Sequence, residues 1–161
     1  MTLKKSILTA VVLILAISLI AASLHATYPL SKGENATFYS GRAGVSFVKS
    51  QFSGSVSVVR KDSSKNLVED EPEFIQRHLD VRVKDRQGNR ITHVLGSVYV
   101  YFMVRDKDLR DWDTGNLAIY FYDTWKGEWT ECSTFLVSRG SSGQSLACRI
   151  RVFGLYGLGK P

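Results

Sequence analysis

Leu117 to Leu158 reads LAIYFYDTWKGEWTECSTFLVSRGSSGQSLACRIRVFGLYGL, and this stretch decides the fold class. Leu117, Ile119 and Phe121 alternate with other residues, as do Leu146, Cys148, Ile150 and Val152, and a period of two puts each set on one face of a strand. Turn-prone segments at Asp123 to Glu128 and Arg139 to Gly143 interrupt the alternation, so the chain is expected to fold back on itself twice. Cys132 and Cys148 then fall on neighbouring strands, where a disulfide can join them.

Upstream, the same period recurs. Val45 and Phe47 alternate with Ser46, and Val56 and Val58 with Ser55 and Ser57, so residues 37–60 read as two strands, TFYS and then GVSFVKSQFSGSVSVVR. Leu79, Val81 and Val83 point inward, with Asp80, Arg82 and Lys84 on a wet face. Gly88-Asn89 supplies a turn after them, while 61–72 reads as an exposed loop. Val94 to Val104 is β-branched and apolar on both faces, which marks a central strand. Asp106 to Asn116 loses the period and is expected to make a helical turn. Outside the N-terminus no long segment carries apolar residues at helical spacing. The expected class is all-β, a two-sheet antiparallel β-sandwich.

Residues 1–26, MTLKKSILTAVVLILAISLIAASLHA, have the layout of a secretory signal peptide: Lys4 and Lys5, an apolar run from Ile7 to Ala22, then small residues ending in Ala26. The alternative is an uncleaved hydrophobic helix anchoring the chain, since Ser6 to Leu24 approaches the roughly 20 residues that span a bilayer. Residues 27–36 read as a linker and 37–161 as the β-sandwich domain. The expected location is therefore secreted or at the cell surface, with membrane contact only through a retained N-terminal segment. An oxidising compartment lets Cys132 and Cys148 pair, and closing a loop of that length is worth about 3 kcal/mol.

The formal charge of +6 includes Lys4 and Lys5, and the remaining basic residues are scattered among acids, as in Arg105-Asp106-Lys107-Asp108. No stripe of one sign follows a phosphate backbone, which argues against nucleic acid. Two cysteines without CxxC spacing cannot build a structural zinc site, and His78 and His93 read as solvated loop residues. No nucleophile elbow, HExxH or phosphate-cradling loop occurs, so no enzyme and no cofactor are expected. The Asp106, Asp108, Asp111 and Asp113 loop invites a calcium reading, but interleaved Arg105, Lys107 and Arg110 favour a solvated charged loop. Tyr99, Tyr101, Tyr120 and Tyr122 are expected on one aromatic face across two strands, with Trp112, Trp125 and Trp129 at loop positions nearby. Such a face either fills a core or stacks sugar rings.

Certain runs carry a family resemblance. AGVSFVKSQFSGSVSVVR, then LDVRVKDRQGN followed by VYVYFMV, resembles the bacterial version of the ZU5-type β-sandwich, and FYDTWKGEWTEC with Cys148 and VFGLYGL is similar to the end of ZU5 and GAIN domains. Autoproteolytic members cleave within a His-Leu-Thr or His-Leu-Ser tripeptide before a phenylalanine-containing last strand. With Phe153 matched to that phenylalanine, Arg149, Ile150 and Arg151 occupy the tripeptide, and His78-Leu79-Asp80 also lacks the hydroxyl. The resemblance implies a non-cleaving interaction or scaffold module binding a protein or cell-surface component. The alternative is a carbohydrate-binding module that meets a polysaccharide through exposed Trp and Tyr side chains.

Overall fold

The computed structural model describes residues 26–62, 71–138 and 143–161; the apolar N-terminal run and most of the 61–72 loop lie outside them. Strands β1 (Thr27–Leu30), β2 (Ala36–Ser40), β3 (Ala43–Val48), β4 (Gly54–Lys61), β5 (Glu73–Phe74), β6 (His78–Asp85), β7 (Arg90–Ile91) and β8 (Ser97–Val104) precede a helix, α1 (Asp106–Asp113). Strands β9 (Ala118–Asp123), β10 (Glu128–Cys132), β11 (Thr134–Ser138), β12 (Gln144–Arg149) and β13 (Leu155–Lys160) complete the chain. They form two antiparallel sheets. One runs β1-β4-β6-β13-β9-β10, with β5 beside β13 and β7 beside β6; the other runs β11-β12-β8-β3-β2.

The sheets pack face to face, and the alternation in sequence becomes the core. Val45, Phe47, Val98, Val100, Phe102 and Leu146 of the five-stranded sheet are buried against Val56, Val58, Leu79, Val81, Ile119 and Leu158 of the eight-stranded one. β8 is central in its sheet, as its two apolar faces require. Phe47 anchors an aromatic cluster with Phe38, Phe52 and Phe153 at ring separations of 5.9, 5.9 and 6.0 Å.

Turn chemistry follows the sequence. Between β6 and β7 the Asp85 carboxylate accepts the Asn89 amide at 2.8 Å, and Gly88 takes φ +86°. The β9–β10 turn is closed by the Gly127 amide on Asp123 O at 2.8 Å. The helical turn after β8 is a two-turn helix in which the Asp108 carboxylate accepts the Arg105 amide at 2.9 Å.

Several expectations change. Residues 27–36 are not a free linker, because β1 pairs along β4 and Leu30 is buried. Residues 37–60 hold three strands rather than two: Lys49, at φ +49°, breaks the serine-valine alternation, and the chain leaves the five-stranded sheet at Val48 to enter the other at Gly54. The chain also changes sheet at Ser133. There Thr134 Oγ1 donates to Cys132 O at 2.8 Å and accepts the Ile119 amide at 2.9 Å, ending β10 and redirecting the chain into β11. The bond between Cys132 and Cys148, with Cα atoms 6.1 Å apart, therefore joins the two sheets rather than neighbouring strands of one. Among the described residues no helix is long and apolar enough to cross a membrane.

Candidate functional site

The four tyrosines do not share a face. Tyr99 and Tyr101 lie on β8 and Tyr120 and Tyr122 on β9, in opposite sheets, so pairing within one sheet never brings them together. Two separate outer surfaces result.

On the eight-stranded sheet, the outer face centres on Trp129 of β10 rather than on a loop tryptophan. Its ring lies 4.5 Å from Phe74, 4.9 Å from His78 and 5.2 Å from Tyr122, and its indole N–H donates to Glu71 at 3.3 Å. The glycines of β13 make this cluster possible. A Cβ on Gly157 would overlap the Phe74 ring, so only glycine lets that ring lie this close over β13. His78 is consequently 2% exposed rather than solvated. Its neighbour on the same face, Asp80, is 4% exposed because the Lys61 ammonium at 2.7 Å and the Arg82 guanidinium at 2.8 Å cover it. Strand periodicity assigned the face correctly but could not see β5 and the long cationic side chains that close over it.

Burial holds the His78 imidazole below its usual pKa, against a smaller opposing pull from Glu71 and Asp62. The folded chain thus binds a proton at His78 less readily than the unfolded one, and the stabilisation that this neutral ring contributes is complete above about pH 6.5. It is lost as the pH falls from there through the lowered folded-state value. Urea denaturation at stepped pH is expected to show stability falling across that interval, and His78→Phe is expected to flatten the fall.

Just before β13 begins, the same face opens. Leu155 is the first residue of β13 and pairs with Asp80, and before it no strand lies between β6 and β9. The resulting notch of about 790 Å³ is bordered by Asp80, Arg82 and His93 on one side and Tyr122, Asp123 and Trp125 on the other. His93 is exposed, as expected from sequence. Trp125 stands at the tip of the β9–β10 turn and is 97% exposed.

The outer face of the five-stranded sheet is different in kind. Strand register places Phe135 and Val137 of β11, Ala147 of β12, Tyr99, Tyr101 and Met103 of β8, Ser46 and Val48 of β3 and Tyr39 of β2 on it. Phe135 and Tyr99 meet edge to face at 6.1 Å, and a shallow groove of about 280 Å³ runs past them and Tyr101. Phe135, Val48 and Tyr39 are exposed, and Arg149 at one end is the sole charge that register puts on this face among the described residues. Among the described residues no helix covers it: α1 sits at the end of the sandwich, with Asp111 bound to Lys160 of β13 at 3.0 Å and Trp112 packed against the core.

The aspartates of that helix do not converge. Asp108 caps its own helix and Asp111 pairs with Lys160, and among the described residues no group of three His, Cys, Asp or Glu is placed to hold a metal ion. Comparison with protein-family models, with curated proteins and with solved structures gives no match for this chain.

Proposed function

We propose that this chain is an exported, non-catalytic interaction module that docks a protein partner through the outer face of its five-stranded sheet. The observation that carries the reading is the character of that face, where Phe135, Tyr99, Tyr39 and Val48 stand among small polar residues, Thr37, Ser46, Ser97 and Ser145, with one charge, Arg149, at its end. An outer sheet face that meets only water is normally polar, and an uncovered apolar one marks an interaction surface. Aromatic anchors without charge suit a partner that is itself apolar at the contact, which is protein.

Export is part of the proposal. The signal-like residues 1–26 support it, and the disulfide is compatible with an oxidising compartment outside the cytoplasm. The ZU5/GAIN-type resemblance, in which Arg149, Ile150 and Arg151 stand in place of the cleaving tripeptide, supports the non-cleaving part of the proposal.

Phe135→Lys combined with Val48→Lys tests the docking face, because both side chains are exposed and the fold does not depend on them. Cross-linking in the native surface fraction is expected to yield a complex whose recovery drops about tenfold or more in the double variant. A complex recovered equally from both proteins would remove this face as the interface.

A further inference from the structure

The notch before β13 differs from the docking face in every property that selects a ligand. It lies on the opposite sheet, it is lined by both acids and bases, and an indole rises beside it. Trp125 is displayed from a turn whose backbone is fixed: the Asp123 carboxylate accepts the Trp125 amide at 2.9 Å and the Lys126 amide at 3.4 Å. A large apolar ring that is 97% exposed gains nothing for folding, so its presentation needs another reason. Its volume of about 790 Å³ lies inside the roughly 300–1,000 Å³ range of small-ligand sites.

We propose that this notch binds an acidic oligosaccharide, with one sugar ring lying flat on Trp125 and the acidic groups of the chain meeting Arg82, Arg90 and Lys61. Three features select that chemistry. The flat face of an indole matches the C–H face of a pyranose, while the polar edge of the sugar needs donors and acceptors close by. Asp80, Asp123, Thr92 and His93 line the notch and supply them. Charge then selects among sugars. One oxygen of Asp80 receives both Lys61 and Arg82, which leaves this triad one positive charge, and Arg90 adds a second against the single negative charge of Asp123, so the notch keeps a net positive charge of one. The side chains of Lys61 and Arg82 remain about half exposed, at 45% and 55%, and so can meet a ligand without leaving Asp80. A polynucleotide would want a longer track of cations than these three.

The same contacts make the site one of binding rather than bond cleavage. Asp80 is held by two cations and Asp123 by the turn amides, so both carboxylates are engaged in fixed contacts and do not form the facing pair that glycoside hydrolysis uses.

The test uses the intact protein with three probes: hexagalacturonate, the same hexamer fully methyl-esterified, and a sulfated heparin-derived hexasaccharide. Binding is followed by calorimetry and by tryptophan fluorescence. At least one of the two acidic probes is expected to bind, with affinity falling as salt is raised. Where hexagalacturonate binds, its ester is expected to bind about tenfold more weakly or worse. Trp125→Ala is expected to weaken binding about tenfold or more, and Arg90→Gln to weaken it while lowering the salt dependence in part, since Lys61 and Arg82 remain. Both side chains are exposed, so neither change threatens the fold, and neither touches the docking face on the other sheet. The proposal is overturned if neither acidic probe binds, if acid and ester bind alike, or if Trp125→Ala binds as the parent does.

Discussion

Phe47→Ala is expected to lower the stability of the folded chain by about 3–5 kcal/mol, the largest loss of any single truncation argued for this fold. Phe47 is fully buried on β3 and sits where the two sheets meet. Phe38 comes from β2 beside it, Phe52 from the crossing between the sheets, and Phe153 from the segment leading into β13. Removing the ring leaves a cavity bounded by three other rings, each fixed to a different strand or crossing, so the surroundings cannot collapse into it cheaply. It also removes edge-to-face contacts that add about 0.5–1.5 kcal/mol each beyond burial. Urea denaturation measures the loss, with Val48→Ala as the control. Val48 is the next residue on the same strand but faces outward, and its truncation is expected to change stability by no more than about 0.5 kcal/mol. Equal losses for the two variants would mean that the sheets do not pack through this face of β3.

Replacing both cysteines by alanine is expected to cost about 3 kcal/mol and to lower the melting temperature by about 10 °C. The loop closed is short in sequence, with 16 positions between Cys132 and Cys148. The bond does more than shorten a hairpin. β10 is an edge of the eight-stranded sheet, β12 lies inside the five-stranded one, and between them the chain has just changed sheets at Ser133. Cys148 is fully buried while Cys132 is part exposed, so a small reductant reaches the bond from the Cys132 side. Reduced and alkylated protein is expected to melt close to the double alanine variant, as read by differential scanning calorimetry. A melting temperature unchanged by reduction would show that the sheets hold this edge together without the sulfurs.

Much of the architecture can be read directly from the chain. The alternation in Leu79-Asp80-Val81-Arg82-Val83 identifies β6 and its inward residues, because a pleated strand turns every second side chain the same way. Val98 to Val104, apolar on both faces, identifies β8 as a central strand without saying which face points inward. The turn at Gly88-Asn89 and the helical segment after Arg105 are equally legible, since their backbone partners lie within four residues in sequence. What the alternation cannot carry is which sheet a strand joins. Residues 43–60 alternate serine with valine or phenylalanine on both sides of Lys49, yet β3 and β4 end in different sheets, and Tyr120 and Tyr101 are separated for the same reason.

The two sites divide along the same line. Trp125 in a turn is visible from Asp123-Thr124-Trp125-Lys126-Gly127, and its exposure follows from the position. That Asp80, Arg82, Arg90 and His93 stand across a gap from it depends on β13 beginning at Leu155, a register set by packing against β6 and β9. His78 shows the limit most clearly. The sequence reads it as a solvated loop residue beside the strand, whereas it opens β6 and is buried by Phe74 and Trp129, which reach it from other strands across the glycines of β13.

By itself, then, the sequence determined the strand class, the inward residues and the two cysteines able to bond, because these depend on neighbours a few residues apart. Tertiary structure alone decided which sheet each strand entered, that the disulfide bridges the sandwich, and which side chains meet across the notch. Those outcomes depend on non-local pairing, where the free energy of burying two faces together selects among registers that local periodicity leaves equivalent.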